Sequence, residues 1–148
     1  MHFRIENLKF EYNNQLIIEY KNLTLNKGDK LFIHGPSGCG KTTLLNLMSG
    51  LLKSQSGKIL FENVNLSKLS EDQIDKHRAQ NFGYVFQRLH LINYLNVEQN
   101  IQLANVNLNS NNMHSLIQEL GLLDKRRSKI SDLSVGEAQR VAIARAIV

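Results

Sequence analysis

Alternating apolar and polar residues open the chain. The alternation over Phe3–Tyr12 predicts a half-buried strand. Two short apolar segments follow directly, and a third lies further along the chain. Clusters of asparagine, lysine, serine and glycine, which are typical of turns, lie beside them. We expect a small antiparallel sheet built from residues 1–30 and 55–66. The three segments are 16–18, 23–25 and 58–62, and the first turns fall at Asn13-Asn14 and at 26–29.

Two further segments are predominantly apolar and predict buried strands. Lys30–His34 precedes a glycine-rich stretch, and Phe82–Phe86 combines aromatic and β-branched residues. Apolar residues at helical spacing follow the glycines over 42–52. We therefore expect a strand, a glycine loop and a helix over 31–54, and a strand that ends at a polar residue over 81–87.

Helical patterns fill most of the remaining chain. Serine followed three residues later by Gln or Glu is a capping box, and it occurs at Ser70/Gln73 and at Ser134/Glu137. Between residues 95 and 133 the strand signal disappears, which predicts a helical insertion. The expected elements are helices over 71–79, 96–104, 110–120 (capped by Ser110, stopped by Gly121) and 134–148, and an asparagine-rich loop over 105–112.

Composition indicates an ordinary globular domain. Of 148 residues, 42% are apolar and 21% charged, so one domain with a real core is expected. No apolar run reaches transmembrane length, and the first seven residues lack the apolar core of a signal peptide, so we expect a cytoplasmic protein. The single cysteine cannot form an internal disulfide. The histidines lack the spacing of metal ligands, which disfavours a transition-metal site. The net charge is +5, but the basic residues are dispersed along the chain, which disfavours nucleic-acid binding.

The strongest chemical signal is the stretch Gly35–Thr43, which fits the phosphate-loop pattern G-x-x-x-x-G-K-[ST]. Its glycines permit positive φ, so that backbone N–H groups can approach an anion at the start of the following helix. Lys41 would reach the β- and γ-phosphates of a nucleotide, and Thr42 would offer its hydroxyl to Mg²⁺. The candidate ATP-binding residues are Gly35, Pro36, Ser37, Gly38, Cys39, Gly40, Lys41, Thr42 and Thr43.

The last predicted helix offers a second anion-binding start. Ser134 and Gly136 lie where a helix presents free N–H groups and partial positive charge. Taken alone, the segment is only a well-capped helix.

Together these motifs resemble the nucleotide-binding domain of ATP-binding cassette (ABC) transporters over the whole chain. The resemblance rests on an adenine-stacking aromatic residue, a Walker A loop, a glutamine loop and a signature sequence before a helix, in family order. They correspond to Tyr12, Gly35–Thr43, Gln87 and Leu133–Glu137. The implied fold is α/β, a P-loop NTPase with an N-terminal antiparallel β subdomain and an α-helical insertion, incomplete at the C-terminus.

The resemblance implies a role for each feature. Tyr12 would stack on adenine, although an aromatic residue at a strand end is an equally good structural interpretation. Gln87 would reach Mg²⁺ and the attacking water. The signature would contact the γ-phosphate of ATP held by a second nucleotide-binding domain, in a homo- or heterodimer. It departs from the common LSGGQ form, because Val135 replaces a glycine and resists positive φ, and Glu137 replaces the glutamine.

The segment Asn81–Ile101 looks like the lipoprotein-releasing, macrolide-export and cell-division subfamily. Five apolar side chains make it more apolar than an ordinary surface loop: Leu89, Leu91, Ile92, Tyr94 and Leu95. By resemblance they would dock a coupling helix of a transmembrane permease, which would hold the protein at the inner face of the membrane. Packing against the protein's own core is the alternative.

The family's next elements would be a Walker B aspartate, a catalytic glutamate and a switch histidine, and the sequence stops at Val148 before them. We therefore expect Mg·ATP binding but little or no hydrolysis by this chain alone. Two other interpretations stay open. One is a phosphate-loop kinase for a small molecule, which leaves Ser134–Glu137 without a role. The other is a non-catalytic cassette that contributes only its signature face.

Overall fold

The structure, a computed structural model, describes residues 2–12, 15–105 and 109–148. The chain divides into two compact units, Met1–Asn81 and Phe82–Val148. The first unit contains β1 (Phe3–Tyr12), β2 (Gln15–Leu25), α1 (Lys41–Met48), β3 (Ser56–Phe61), β4 (Val64–Asn65) and α2 (Glu71–Asn81). The second unit contains α3 (Val97–Gln102), α4 (Ser110–Glu119) and α5 (Val135–Ile147).

The first unit is built on a four-stranded antiparallel sheet in the order β2-β1-β3-β4. Ile5 on the central strand β1 lies opposite Leu23 of β2 and Ile59 of β3. This confirms the predicted antiparallel β part, although the two apolar runs on 16–18 and 23–25 form one continuous strand. The predicted turn at Asn13-Asn14 lies outside the described residues.

The buried side chains of β1 change parity along the strand. Phe3 and Ile5 are buried, and then Leu8 and Phe10 are buried instead of the next odd-numbered positions. Asn7 has a φ of 47°, and the pairing of β1 with β3 is irregular between Glu6 and Lys9. One left-handed residue thus rotates the strand so that its apolar face still meets the core.

The two predicted buried strands are wrong. Residues 30–34 and 82–86 have no regular secondary structure, and the side chain of Phe32 is 83% exposed. A strand is stabilised by the backbone hydrogen bonds of its neighbours, and neither segment pairs with any strand in the described ranges. The local residues favour a strand, but they carry no information about the neighbouring strand with which it would pair.

The helices lie close to their predicted positions. The capping box at the start of α2 is present, since Ser70 Oγ accepts from Gln73 N–H and Gln73 Oε1 accepts from Ser70 N–H. The prediction that Ser110 caps α4 is wrong: Asn109 is the N-cap, and its Oδ1 accepts from Asn112 N–H at 2.8 Å. The predicted 105–112 loop is helical from Ser110, and its residues 106–108 lie outside the described ranges.

Three helices enclose the core of the second unit. Val141 and Ala144 of α5 pack with Val97 and Ile101 of α3 and with Ile117 of α4, all fully buried. This confirms the predicted helical region. It also means that the helix beginning at Ser134 is anchored by the same core that carries the loop after Gln87.

Outside this core, an ion pair fastens α3 to the segment that follows α4. Arg126 donates from Nε and Nη2 to the two carboxylate oxygens of Glu98, at 2.9 and 2.5 Å. The hydrogen bond from Arg126 is the largest cause of a lowered Glu98 pKa. Because the folded-state pKa lies below the unfolded one, the pair stabilises the protein above the ordinary value of 4.5, and this contribution is lost as pH falls through the lower, folded-state pKa.

Glu98→Gln should therefore lower the free energy of unfolding by about 0.5–1 kcal/mol at neutral pH, since the pair is about one-third exposed. The variant should also lose stability less steeply than the wild type below about pH 4.5. Urea unfolding across this pH range measures both effects. Glu119→Gln, which removes an exposed carboxylate from α4, is the control. Identical pH profiles for the two variants would contradict this role for the ion pair.

Candidate phosphate-binding site and signature helix

The glycine-rich loop of residues 35–40 joins the irregular segment 30–34 to the N-terminus of α1. Gly35, Gly38 and Gly40 have φ angles of 153°, 82° and 91°, so the expected positive φ values are present. Gly40 is the N-cap of α1 and contributes no side chain to the first helical N–H groups. Those amides, at the positive end of the helix dipole, can serve an anion instead.

Lys41 lies over this loop. Its Nζ donates to the carbonyl oxygens of Gly35 and Pro36, at 2.9 and 2.7 Å, and lies 3.7 Å from Cys39 Sγ. The ammonium group is thus held at the loop by two neutral acceptors, and no carboxylate pairs with it among the described residues. An incoming phosphate would offer it a stronger, charged acceptor.

Most of the other candidate residues of the first unit are exposed. Ser37, Cys39 and Thr42 are exposed, and Thr43 is partly buried. Tyr12 is the last residue of β1 and its side chain is 63% exposed, so its ring is open to a stacking partner.

Gln87 is an exposed residue of the second unit, at a bend after the irregular segment 82–86. The apolar loop that follows Gln87 contains residues that fit each of the two alternatives, docking of a partner and packing against the protein's own core. Leu91 packs against the helical core, as a core residue would. Tyr94 is 78% exposed, as a docking residue would be.

The signature residues form a tight helix start. Ser134 is the N-cap of α5: its Oγ accepts from Glu137 N–H at 3.3 Å, and Glu137 Oε2 accepts from Ser134 N–H at 2.7 Å. Val135 is the first helical residue and does not have positive φ, so its β-branched side chain creates no conflict with the backbone. The side chain of Val135 is 76% exposed.

The Glu137 carboxylate is stabilised in its charged form. The hydrogen bond from Ser134 N–H is the main cause of a lowered Glu137 pKa, and Lys125 and Arg140 contribute as nearby cations. Because the capping box uses the N–H groups of Ser134 and Glu137, those of Val135 and Gly136 are left for an external acceptor, whereas the Ser134 hydroxyl also hydrogen-bonds to the Glu137 carboxylate.

One residue that holds this unit together was missed in the sequence. Asn100 is fully buried; its Nδ2 donates to the carbonyls of Ile92, Leu95 and Asn96, and its Oδ1 accepts from Ile92 N–H. The sequence feature that could have identified Asn100 is a side-chain amide among apolar residues, since Asn100 lies between Val97 and Ile101 on the buried face of α3.

The residues that the structure describes lack a metal-binding cluster and a membrane-spanning helix. They contain no group of three or more His, Cys, Asp or Glu side chains arranged to hold a metal ion. They also contain no helix with the length and apolar character needed to cross a bilayer.

A glycine loop that ends at an uncapped helix start, with a lysine ammonium held over it, defines a phosphate-loop protein. The match to known families is narrower than this class. Residues 18–148 match the ABC transporter family. The chain belongs to that family.

Individual relatives agree with this assignment. The lipoprotein-releasing system ATP-binding protein LolD of Buchnera aphidicola subsp. Schizaphis graminum is 41% identical over 133 residues, covering 86% of this chain and 58% of LolD. The macrolide export ATP-binding/permease protein MacB of Campylobacter jejuni is 33% identical over 150 residues, covering 97% of this chain and 23% of MacB. The chain thus spans little more than half of the first relative and about a quarter of the second.

Solved structures confirm the predicted P-loop NTPase fold of the ABC type. The dimeric bacterial ABC transporter cassette MJ0796 matches with a TM-score of 0.83 and 29% identity, covering 98% of this chain and 68% of that one. The same cassette is known as a dimer in a post-hydrolysis state bound to ADP and Pi, and it matches equally well.

Proposed function

We propose that this protein is the ATP-binding subunit of an ABC transporter, which binds Mg·ATP on Gly35–Thr43 and closes on a second cassette through its signature helix. The observation that carries the proposal is the loop itself: three glycines with positive φ, an uncapped helix start and Lys41 at hydrogen-bonding distance from the loop carbonyls.

The loop fits the terminal phosphates of a nucleotide. Backbone N–H groups of the loop and the first turn of α1 would donate to the phosphate oxygens. Lys41 would exchange its two carbonyl acceptors for the β- and γ-phosphates, and Thr42 would contribute a hydroxyl ligand to Mg²⁺. Tyr12, with its ring largely exposed, would stack on the adenine.

The signature helix supplies the second contact. The N–H groups of Val135 and Gly136 make two donors on one helix start, and the Ser134 O–H would add a third by turning from Glu137 to the γ-phosphate of a nucleotide held by another cassette. The dimeric state of the MJ0796 cassette supports such a pair. In the same proposal, Gln87 would reach the Mg²⁺ ion and the attacking water.

The membrane partner would be a permease subunit. The names of the two relatives describe a lipoprotein-releasing system ATP-binding protein and a macrolide export ATP-binding/permease protein, and the second name joins ATP binding to a permease. Tyr94 and the half-buried Ile92 and Leu95 give an apolar docking surface on the loop that follows Gln87. Bound there, the protein would lie at the cytoplasmic face of the membrane without a membrane-spanning helix among its described residues.

Sedimentation velocity with and without Mg·ATP tests the proposal. The chain should sediment as a monomer without nucleotide and as a dimer with Mg·ATP. It should also form a mixed dimer with an intact cassette of a related transporter. If the folded chain stays monomeric in Mg·ATP, both alone and with the intact cassette, the pairing role is wrong.

Glu137→Gln should strengthen this pairing about fivefold. The amide oxygen of Gln can still accept from Ser134 N–H, so the cap is kept. The substitution removes a negative charge beside the incoming phosphates and leaves the cations of Lys125 and Arg140 in place. The dissociation constant of the Mg·ATP-bound dimer measures the effect, and equal or weaker pairing would show that the charge does not oppose phosphate binding.

A further inference from the structure

The last turn of α5 contacts the polypeptide on both sides of Gln87. On the later side, Arg145 donates from Nη2 to the Leu89 carbonyl at 2.7 Å and from Nη1 to the His90 carbonyl at 2.8 Å. On the earlier side, a Cβ built on Gly83 would lie 1.9 Å from the Ala146 carbonyl oxygen. Adjacent residues of one helix therefore bracket the seven-residue span from Gly83 to Leu89 in which Gln87 lies.

These contacts have the features of a specific brace. A guanidinium group is a rigid fork, and its two outer nitrogens here bind two consecutive carbonyls. His90 adopts a φ of 49°, which is rare for a residue with a Cβ, and the arginine fork is bonded to the same peptide segment. Burial lowers the pKa of Arg145, so its charge is partly removed from water and depends on these acceptors.

We propose that Arg145 and Ala146 are positioning residues, which fix the location of Gln87 relative to the signature helix. The proposal rests on the function proposed above. Ser134 and Arg145 belong to one helix and lie about 16 Å apart at roughly 1.5 Å per residue. A phosphate at Ser134 would act on one end of this helix, and a metal ion at Gln87 would act on the loop that is held by its other end.

The sequence shows neither half of this brace. In the sequence, Gly83 is a residue of low strand propensity in an apolar segment. In the structure, its lack of a side chain allows the backbone of residue 83 to approach the backbone of Ala146. Arg145 looks like a surface residue of a charged helix, whereas it is partly buried and bonded to a loop 55 residues earlier in the chain.

Hydrogen exchange on the nucleotide-free chain tests the brace without relying on ATP. Arg145→Ala should speed amide exchange in residues 87–92 about tenfold and leave α3 and α4 unchanged. Arg145→Lys, which keeps the charge but has no fork, should give an intermediate rate. Arg140→Ala on the same helix should match the wild type. Exchange in 87–92 within twofold of wild type for Arg145→Ala, or equal acceleration throughout the second unit, overturns the proposal.

A second readout tests the effect on Gln87. Arg145→Ala should raise the Mg²⁺ concentration needed for half-maximal ATP binding about fivefold, while binding of metal-free ATP stays unchanged. Gln87→Ala should do the same, and the double variant should be no worse than either single one, because both act on one group. Additive effects overturn the positioning role. Absence of ATP binding by the wild type would instead refute the proposed function and leave the exchange result to decide the brace.

Discussion

Lys41→Ala should reduce the affinity for Mg·ATP by at least about a hundredfold. An ammonium near a phosphate oxygen contributes on the order of 4 kcal/mol at 4 Å and the effective dielectric of a protein surface. The variant also removes the two hydrogen bonds from Nζ to the carbonyls of Gly35 and Pro36, which hold the loop over the start of α1. Fluorescence titration with a labelled ATP measures the loss directly.

Lys53→Ala is the matched control for this experiment. Lys53 is an exposed lysine of the same unit and lies outside the glycine loop. Its removal changes the net charge equally and should alter the affinity for ATP less than about twofold at physiological salt. If the two variants bound ATP equally well, the nucleotide would not be held by the Lys41 ammonium.

Ser134→Arg should abolish Mg·ATP-dependent pairing and leave nucleotide binding by the Gly35–Thr43 loop unchanged. Arginine removes the hydroxyl that caps α5 and fills the space in front of the free N–H groups of Val135 and Gly136. Sedimentation with saturating Mg·ATP reads the pairing, and titration of the same sample reads the binding.

Ser131→Arg tests whether the effect is specific to the signature. Ser131 is exposed and lies three residues before the N-cap, so this variant adds the same side chain at a nearby position. It should pair like the wild type. Pairing that survives Ser134→Arg would remove the signature helix from the interface. ATP-dependent phosphorylation of a small molecule by the monomer would favour the kinase interpretation.

Local sequence rules predicted the parts of the structure that depend on neighbouring residues. The glycine loop, the capping boxes at Ser70 and Ser134 and the stop at Gly121 depend on a few consecutive residues, and each is present. The antiparallel sheet was also predictable, because the alternation over Phe3–Tyr12 and the turns between the strands are local signals.

Features that depend on distant partners were not predictable in this way. Residues 30–34 have strand propensity, but strand formation requires a neighbour that their own sequence does not specify. Asn100 and Arg145 were missed because their importance comes from the loop carbonyls to which they donate, and periodicity treats them only as polar residues on a helix. The concern over Val135 assumed a positive φ, whereas the N-cap position of Ser134 places Val135 in an ordinary helical conformation.

Calorimetric titration of Mg·ATP into the folded, wild-type chain tests the central claim most directly. We predict saturable uptake of one nucleotide per chain, with the heat of binding lost in Lys41→Ala. A cooperative unfolding transition of the same sample would establish that the protein is folded. Folded protein that takes up no Mg·ATP would contradict the assignment of Gly35–Thr43 as a nucleotide site, and with it the proposed role in transport.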